Sequence, residues 1–338
     1  MFKKNLLLTP HYLPHLGGVE KHVFYQAQYL QKRGYQVMIL TQKSNHNLSS
    51  CEEVDGCTIH RFSFPKIRFF GLLLIWWRML FSYWQFFNEV DIIHIHDVMI
   101  WLLPIRLLLP RKKIILTMHG WEGNYPIPKK NIFLKKIAQK MANKVICVGK
   151  YICQYYQIEC DLVIEGGVEL QTQAQKTNKK NQLLVLGRLE EDTGLSWFLD
   201  LMSEHILNSR IKIIFAGDGS LHHRAQKLGE VKGWLPEKKV NQLLAESHWC
   251  LATGYLSALE ALSCGCQVIA IANNPLKVNY WQKSKLINWI HLVKDYRQLK
   301  DLFLQIEQGG LKKKAPTPTQ LEQFSWQKVM SECERLYQ

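Results

Sequence analysis

The stretch that decides the fold is Gly254-Tyr-Leu-Ser-Ala-Leu-Glu260-Ala-Leu-Ser-Cys-Gly265-Cys-Gln-Val-Ile-Ala270. Its pattern predicts a small-residue turn, a helix that carries Glu260, a glycine stop at Gly265 and a short apolar strand. A glycine before a helix lets a ligand approach the backbone closely, and the first helical turn offers unpaired N–H groups to an anion. Glu260 falls within the first two turns, where a carboxylate can accept hydrogen bonds from ribose hydroxyls. An ordinary helix of an α/β domain would have the same pattern.

The composition is that of a globular protein with two domains. The chain has 338 residues, of which 47% are hydrophobic and 21% charged, enough for two cores of ordinary size. The nine cysteines show no paired CxxC motif and no zinc-finger spacing, so we expect free thiols and a cytoplasmic location. The apolar run at the start of the chain is too short for a signal peptide and is predicted to be the first strand.

The net charge of +15 favours anionic partners, such as a nucleotide or a phospholipid surface. No RNA- or DNA-binding signature accompanies this charge, so nucleic acid is not an expected partner.

The first half begins with a predicted βαβ unit. A buried strand over residues 5–9 leads to Gly17 and Gly18, which open a helix that Gly34 ends, and residues 35–41 form the next strand. The glycine pair lies where doubly wound sheets bind ligands. It is not a GxGxxG fingerprint, and a plain tight turn accounts for two glycines equally well.

Polar residues end two later predicted strands of this half. His96 and Asp97 close one strand, and His119 follows the next. Because the carboxyl ends of parallel strands point into the ligand crevice, these three residues are predicted to contact a ligand. His94 alternates with His96 on the same side of its strand, so one of the two can be a satisfied buried histidine. Two histidines without further ligands at suitable spacing do not predict a metal site.

The segment 69–87, FFGLLLIWWRMLFSYWQFF, contains nine aromatic residues and predicts a helix. Its polar residues Arg78, Ser82 and Gln85 share one narrow face. An arginine at the bilayer centre costs about 2.5–3.5 kcal/mol, which argues against a membrane-spanning segment. Two interpretations stay open: a helix buried against the sheet, and a helix partly immersed in the membrane interface, where nearby basic residues meet lipid phosphates.

A second candidate for membrane contact is the basic helix predicted over residues 129–144. Phe133, Ile137 and Met141 share one face of it, and lysines occupy the rest. A solvated basic helix is the simpler interpretation. If both segments are used, an anionic membrane surface is a partner through 66–87 and 129–144, and the protein is peripheral on the inner face of the membrane.

The strand-and-helix pattern restarts after a polar segment without periodicity, residues 169–181, which is predicted to be the domain linker. Two strands of the second half run into glycine turns at Gly187 and Gly217. Arg188, at the end of the first of these strands, can pair with a diphosphate; a surface salt bridge is the alternative.

Along nearly its whole length the sequence resembles the retaining GT-B glycosyltransferases of family 4. The phrases that carry the resemblance are weak singly but occur in the family's order: Pro14 with Gly17-Gly18-Val-Glu20, Asp91-Ile-Ile-His94-Ile-His96, Thr117-Met-His119-Gly120, Val163-Ile-Glu-Gly-Gly-Val-Glu169, Gly187-Arg188-Leu189, Gly217-Asp218-Gly219, Leu259-Glu260-Ala261 with Gly265, and Phe324-Ser-Trp326. The resemblance implies an α/β GT-B fold, in which two Rossmann-like doubly wound domains face each other across a cleft.

The same resemblance implies the domain roles. The expected segments are an N-terminal Rossmann-like acceptor domain over 1–168, the linker over 169–181, a C-terminal Rossmann-like nucleotide-sugar domain over 182–322, and a terminal helix over 323–338 that crosses back to the N-terminal domain.

The implied reaction moves a sugar from a UDP- or GDP-sugar to a lipid-linked or cell-envelope glycan, as in polysaccharide biosynthesis. The anomeric configuration is retained, and the nucleotide sugar is a co-substrate, so no cofactor and no metal are expected. His119 would lie near the transferred sugar, Arg188 would contact phosphate and Glu260 would hold the ribose, which makes these three the predicted catalytic residues. Protein groups would mainly stabilise charge on the departing diphosphate, whose oxygen helps deprotonate the acceptor.

The remaining predicted site residues fall into two sets. Those implied to bind the donor are Gly17, Gly18, Gly187, Thr193, Gly217, Asp218, Gly233, Trp234, Gly254, Tyr255, Leu256 and Ser257. Those on the acceptor side are His96, Asp97 and Trp121.

Three positions depart from the family's pattern. Ala252 replaces the first of two glutamates, Thr193 replaces a lysine that follows the arginine by five residues, and Gly166 replaces an asparagine. Losing a charge-assisted phosphate bond forfeits about 1.5–3 kcal/mol unless another group, such as Lys277, substitutes. Two alternatives therefore stay open beside the transferase: a non-catalytic GT-B scaffold or partner protein, and a sugar-nucleotide epimerase of GT-B fold.

Overall fold

The chain forms two compact α/β units. The computed structural model describes residues 3–14, 17–45, 47–63, 70–120, 123, 125–170, 179–204 and 211–338. The first unit comprises Met1–Glu122, Pro126–Glu165 and Trp326–Gln338, and the second comprises Gly123–Tyr125 and Gly166–Ser325. Each unit is built on a single, mainly parallel sheet, so the predicted pair of Rossmann-like sheets is confirmed.

The first unit alternates strands and helices. Its elements are β1 (Lys4–Thr9), α1 (Gly18–Lys32), β2 (Gln36–Gln42), β3 (Cys51–Val54), β4 (Cys57–Phe62), α2 (Gly71–Phe81), α3 (Trp84–Glu89), β5 (Ile92–His96), a 3₁₀ turn (Met99–Leu102), α4 (Leu103–Leu108), β6 (Lys113–Met118), α5 (Lys129–Met141), β7 (Lys144–Val148), α6 (Lys150–Tyr156) and β8 (Leu162–Ile164).

The strands of the first unit form one sheet in the order β3-β4-β2-β1-β5-β6-β7-β8. Every pair is parallel except the β3–β4 hairpin at one edge. The central strands are buried along nearly their whole length because helices cover both faces of a parallel sheet. The strand order reverses at β1, whose neighbours are β2 and β5, and ligands of doubly wound sheets bind at such a switch point.

The second unit repeats the design with six strands. Its elements are β9 (Lys180–Leu186), a 3₁₀ turn (Glu191–Thr193), α7 (Leu195–Ser203), β10 (Lys212–Ala216), α8 (His222–Gln226), β11 (Glu230–Val231), α9 (Glu237–Glu246), β12 (Ser247–Ala252), α10 (Tyr255–Ser263), β13 (Gln267–Ile271), α11 (Pro275–Gln282), a 3₁₀ turn (Ile287–Trp289), β14 (Ile290–Val293), α12 (Tyr296–Glu307) and α13 (Pro318–Glu322).

The sheet of the second unit is wholly parallel, in the order β11-β10-β9-β12-β13-β14. One apolar cluster fills each face: Leu184, Cys250 and Val268 belong to one, and Val185, Leu251 and Ile269 to the other. Successive side chains of a strand point to opposite faces, which accounts for this division. The order reverses at β9, between β10 and β12.

The C-terminal segment belongs to the first unit. Helix α14 (Trp326–Glu334) and a 3₁₀ turn (Arg335–Tyr337) pack against α1. The Trp326 ring stacks on Tyr25 with centroids 4.8 Å apart, and the Tyr29 hydroxyl donates to Glu334 Oε2 over 2.8 Å. Tyr337 is 2% exposed, so the last residues of the chain are part of this core.

The aromatic segment forms two helices, which corrects the prediction of one helix over 69–87. Helix α2 ends at Phe81 and α3 begins at Trp84, because the chain turns at Ser82 and Tyr83, both of whose backbone N–H groups donate to the carbonyl of Arg78. Because Arg78 lies on α2 and Gln85 on α3, the predicted polar face of one continuous helix is not formed; the Arg78 guanidinium donates to the carbonyl oxygen of Ser63.

Helix α2 is apolar on both sides. Gly71, Ile75 and Met79 are buried, whereas Leu73, Trp77 and Phe81 are 53%, 56% and 72% exposed. The residues of each set are four positions apart, and the two sets are offset by two positions, so they lie on opposite faces of the helix. The described helices include none with the length and hydropathy needed to span a bilayer.

Candidate functional site

In the first unit, Asp97 organises the carboxyl edge of the sheet. It follows β5 with φ of +63°, and its Oδ1 accepts from the backbone N–H of His119 and from Lys135 Nζ, each over 3.1 Å. Burial raises the pKa of the Asp97 carboxyl, but the Lys135 ammonium and His119 outweigh burial and leave that pKa below its usual value. Asp97 is therefore a carboxylate that holds the β6 end and α5 together.

Three histidines meet beside Asp97. His96 Nδ1 lies 2.9 Å from His119 Nε2, and the His22 ring lies 4.8 Å from the His119 ring, edge to face. Burial lowers the pKa of all three imidazoles, so they are neutral at pH 7. The Nε2 atoms of His22 and His96 are buried with no hydrogen-bond partner among the described residues. His22 was not predicted from the sequence as a site residue. Its position one turn into the helix that follows the glycine pair is the feature that could have indicated it.

His94 is the satisfied histidine of the pair on β5. Its Nδ1 lies 2.8 Å from Gln26 Nε2 and 2.5 Å from the Tyr337 hydroxyl, and its Nε2 lies 2.7 Å from the Thr117 hydroxyl. Its ring stacks on His96 at 4.8 Å. Burial lowers the pKa of His94 to about 3. His94 thus packs against the ring of His96 and, through its contact with Tyr337, connects the C-terminal segment to the sheet.

Two groups of three metal-capable side chains come together in the described part of the chain. They are His22, His96 and His119, and Cys147, Cys153 and Cys160, with the donor atoms of each group within 4.8 Å of one another. Sequence spacing did not reveal either group, because the members come from separate elements. The expectation of a metal-free site stays a prediction.

A cavity of about 460 Å³ opens beside His119 and Asp97. Its polar lining comes from Asp97, His119, Asn131 and Lys135, and its apolar lining from Val19, Ile100, Leu116, Met118, Leu134 and Ala138. Asn131 and Lys135 lie one turn apart on α5, the helix predicted to be basic and solvated. That helix has no fully buried residue, and Phe133 is 62% exposed.

The remaining site residues predicted in the first unit are Gly17, Gly18 and Trp121. Gly17 precedes α1, where a Cβ atom would lie 2.4 Å from Glu20 Oε2, so the glycine makes room for a carboxylate of its own helix. Gly18 is the first residue of α1. Trp121, predicted on the acceptor side, lies outside the described residues, as do Lys66 and Arg68, the basic residues that precede the aromatic segment and were expected to meet lipid phosphates.

In the second unit, the predicted glycines pack backbone against backbone at the carboxyl edge of the sheet. A Cβ atom on Gly217 would lie 1.8 Å from the Gly187 carbonyl oxygen, and one on Gly187 would lie 2.2 Å from Thr253 Oγ1 and 3.1 Å from Ser257 Oγ. Both glycines have positive φ, +153° and +116°. Gly233 forms a bridge with Gly217. The turns after β9, β10, β11 and β12 therefore meet at one place.

The N-terminus of α10 borders these turns. Gly254 is its extended N-cap and supplies no side-chain cap, so Tyr255, Leu256 and Ser257 begin the helix with N–H groups that no cap side chain satisfies. Gly166 packs on this turn, since a Cβ atom there would lie 2.3 Å from Leu256 Cδ2. Glu260, in the second turn, is 8% exposed.

Arg188 extends from the end of β9. Its Nη2 lies 2.7 Å from Asp192 Oδ2, and its side chain is 57% exposed. Thr193 does not extend into solvent: it is 4% exposed, and its hydroxyl donates to the Glu190 carbonyl over 2.6 Å. Ala252 is buried in the core.

Asp218 and Trp234 complete the predicted donor set. Asp218 Oδ1 accepts from the Gly219 N–H and lies 2.8 Å from His222 Nδ1, and these hydrogen bonds lower the pKa of its carboxyl. Asp218 thus stabilises the turn in which it lies. The Trp234 side chain, next to Gly233, is 52% exposed.

Substitution of Gly217 by alanine should destabilise the second unit by about 2–5 kcal/mol, because the methyl group would meet the Gly187 carbonyl in a backbone conformation that L residues rarely adopt. Urea unfolding measures the change. Gly310→Ala is the matched control, since a Cβ atom there has nothing within 4 Å. Equal stabilities of the two variants would contradict the backbone contact.

The buried histidines should make the first unit acid-sensitive. Their lowered pKa means that the unfolded chain binds more protons below about pH 6.5, so their contribution is complete above that pH and is lost as pH falls. The free energy of unfolding should fall by about 1.4 kcal/mol per pH unit for each extra proton that the unfolded state binds. His94→Gln should remove one such proton from the slope measured between pH 4 and 6.

The control for the acid slope is His223→Gln at an exposed position, which should leave the slope as in the parent chain. An unchanged slope in His94→Gln would show that His94 is not a neutral, buried base in the folded protein.

Comparison with known proteins matches each unit to a glycosyltransferase family model. Residues 16–169 match Glycosyltransferase Family 4, and residues 180–280 match Glycosyl transferases group 1. A curated relative from Arabidopsis thaliana, a component of phosphatidylinositol N-acetylglucosaminyltransferase, is 21% identical over 78% of this chain. The match spans 66% of that relative's own length.

Solved structures agree on the fold over the full chain. Sucrose-phosphate synthase from Thermosynechococcus elongatus superimposes with a TM-score of 0.75 at 16% identity, covering 99% of this chain and 98% of that one. The apo form of the lipopolysaccharide outer core galactosyltransferase WaaB gives 0.68 at 16% identity, covering 99% of each chain. The chain therefore belongs to glycosyltransferase family 4 and has the GT-B fold, and this membership implies a nucleotide sugar as the donor.

Proposed function

We propose that this chain is a retaining glycosyltransferase that moves a sugar from a UDP- or GDP-sugar to a lipid-linked or cell-envelope glycan. The second unit binds the donor and the first unit binds the acceptor. The observation that carries the proposal is the set of groups at the carboxyl edge of the second sheet: an exposed guanidinium, an open helix N-terminus and a carboxylate one turn further along that helix.

These groups match the chemistry of a nucleoside diphosphate. Arg188 provides a planar donor for phosphate oxygens, and the first turn of α10 adds N–H groups and the positive end of a helix dipole. Glu260 follows in the second turn and accepts hydrogen bonds from the ribose hydroxyls. The glycine turns keep side chains out of this region, so the backbone can approach the ligand.

The reaction requires charge to be stabilised on the departing diphosphate. Arg188 and the α10 N-terminus meet the negative charge as the bond to the sugar breaks, and the diphosphate oxygen takes the proton of the acceptor hydroxyl. His119 is neutral at pH 7 because burial lowers its pKa, so it hydrogen-bonds to the sugar without adding charge. Predicted retention of configuration follows from attack on the face that the diphosphate leaves.

The cavity beside His119 suits an acceptor with polar and apolar parts. Asp97, His119 and Lys135 can hold hydroxyl or phosphate groups, and the aliphatic lining can hold an apolar part. The names of two relatives point the same way, since one specifies phosphatidylinositol and the other the lipopolysaccharide outer core.

The exposed apolar residues of the first unit support peripheral membrane binding. Leu73, Trp77 and Phe81 line one face of α2, and α4, which packs against α2, exposes Leu107 and Leu108 by 72% and 59%. Large exposed apolar patches on a soluble fold mark interaction surfaces. The lysines of α5, together with exposed Phe133, add attraction to anionic headgroups.

Removal of the charges proposed to bind the donor should weaken nucleotide binding. Arg188→Ala should weaken binding of UDP or GDP by about 10- to 150-fold, which corresponds to about 1.5–3 kcal/mol for a hydrogen bond between charged groups. Glu260→Gln should weaken nucleotide binding through the ribose. Thermal-shift titration and donor turnover measure both effects, and Arg297→Ala, at an exposed position on α12, is the control.

If the parent chain shows neither nucleotide protection against melting nor turnover of any nucleotide sugar in a panel, the transferase proposal is overturned and the non-catalytic scaffold takes its place. If turnover yields an isomerised nucleotide sugar and no transfer, the product identifies an epimerase.

The membrane proposal predicts that the chain floats with vesicles containing anionic phospholipid. The double substitution Leu73→Glu and Trp77→Glu should abolish flotation while leaving the melting temperature within a few degrees, because both side chains are exposed. Val54→Glu, on the edge strand β3, is the control. Equal flotation of the double variant and the control would refute membrane contact through α2.

A further inference from the structure

We propose that Cys147, Cys153 and Cys160 form a binding site for a thiophilic metal ion, and that Zn²⁺ is the ion whose chemistry this site fits. The site is independent of the proposed function, since the described residues that line the cavity beside His119 include no cysteine. An ion held here links a strand, a helix and the connection that follows the helix.

Three separate segments bring these cysteines together. Cys147 lies on β7, Cys153 on α6, and Cys160 in the connection between α6 and β8. The three Sγ atoms lie within 4.8 Å of one another, and those of Cys153 and Cys160 are 2.8 Å apart. In the part of the chain that the structure describes, the other six cysteines belong to no such group. The cluster is therefore a feature of this one crossover between neighbouring strands.

The backbone fixes the turns at both ends of α6. Gly149 links β7 to α6 with φ of +102°, and its N–H donates to the Ile164 carbonyl over 2.8 Å. Gln157 ends the helix with φ of +52°, and the N–H of Ile158 donates to the Cys153 carbonyl over 3.1 Å. These turns return the chain to the side of β7, so the three sulfur atoms are held close by the fold itself.

The residue after Cys160 attaches the returning chain to β7. The Asp161 N–H donates to the Val145 carbonyl over 2.9 Å, and the Asp161 Oδ2 accepts from the Val145 N–H over 2.8 Å. The other carboxylate oxygen, Oδ1, lies 2.6 Å from Lys144 Nζ. Because both oxygens of this carboxylate are engaged, the donor set offered to a metal ion is the three sulfur atoms.

A donor set made of sulfur selects the kind of metal. Thiolates bind Zn²⁺ and other thiophilic ions, whereas Mg²⁺ and Ca²⁺ require oxygen ligands. Tetrahedral Zn–S bonds of about 2.3 Å place neighbouring sulfur atoms about 3.8 Å apart. The separations in the cluster lie on both sides of this value, and the pair at 2.8 Å has to widen by about 1 Å. Rotation of partly exposed side chains is sufficient for that change.

The cluster has an inner and an outer side. Cys147 is fully buried, and Cys153 and Cys160 are partly exposed, so an ion can enter from solvent. Three protein ligands leave the fourth tetrahedral position to a water molecule or another ligand from solvent. Binding forms metal–sulfur bonds and releases thiol protons to the solvent, so it requires no oxidant or reductant.

The elements that the ion would join are short. Helix α6 has seven residues and β8 has three, and helices of this length are marginal without tertiary contacts. An ion that binds only the folded chain stabilises it by mass action. Helix α6 also contacts the cavity lining, since the Tyr156 hydroxyl donates to the Gly120 carbonyl over 3.2 Å and Lys135 Nζ lies 5.2 Å from the Tyr156 ring centre.

Titration of the reduced full chain with Co²⁺ in oxygen-free buffer tests the proposal. Cobalt bound to thiolates has a near-ultraviolet charge-transfer band that histidine and carboxylate ligands do not give, so the band distinguishes this cluster from the histidines around His119. One molar equivalent of Co²⁺ should produce the band in the parent chain. Zn²⁺ should then displace the cobalt and remove it, because Zn²⁺ favours tetrahedral sulfur sites.

Cys153→Ser and Cys160→Ser should each lower the affinity for Zn²⁺ by about 100-fold or more, since the loss of a ligand costs more than the 10- to 100-fold typical of residues behind the ligands. At a concentration of about one hundred times its Kd, Zn²⁺ should raise the melting temperature of the parent by about 5–10 °C. The two variants should lose this rise.

Cys264→Ser, at a partly buried cysteine of the second unit, is the matched control and should bind both metals as the parent does. With a chelator present, all three variants should melt within a few degrees of the parent, which shows that they fold.

Three outcomes would overturn the proposal. If the reduced parent shows no thiolate band, the cluster binds no metal, and a Cys153–Cys160 disulfide formed in air would then identify a thiol–disulfide pair. A band of equal strength in Cys153→Ser and Cys160→Ser would place the metal on other cysteines. Zinc protection that persists in these variants and is lost in His119→Gln would place the ion on the histidines.

Discussion

The functional architecture depends on one constraint: parallel strands deliver all their carboxyl ends to the same edge of a sheet. In the second unit this edge gathers four turns, and Gly187 and Gly217 approach each other so closely that no side chain fits between them. Gly187 also lies against Thr253 and Ser257, so the end of β9, next to Arg188, lies beside the start of α10. Without this packing, the groups proposed to bind the diphosphate would be separate surface residues.

The two units differ in the charge of the side chains that they place at this edge. The first unit buries histidines whose pKa falls through loss of solvation, so its edge holds neutral hydrogen-bonding rings around the carboxylate–ammonium pair of Asp97 and Lys135. The second unit places the exposed Arg188 guanidinium at the edge of the sheet where helix α10 begins. A neutral polar edge suits a sugar hydroxyl, and a cationic edge suits a diphosphate, which supports assigning the acceptor to the first unit and the donor to the second.

The outer face of the first unit adds a separate feature. Helix α2 buries one apolar face in the core and leaves the opposite apolar face in solvent. Neither burial against the sheet nor membrane immersion alone accounts for such a helix, because each uses only one of the two faces. Helix α5 contributes Leu134 and Lys135 to the cavity lining and exposes Phe133.

The sequence by itself determined the two parallel sheets, the glycine turns and the motif order, because apolar runs, glycines and caps are local properties of a chain. It could not show that the Thr193 hydroxyl donates to the Glu190 carbonyl, or that His94 contacts Gln26 and Tyr337. The contacts of His94 join residues 68 and 243 positions apart, and only tertiary packing decides which distant side chains share one buried environment. Burial then sets their charge, which no local pattern encodes.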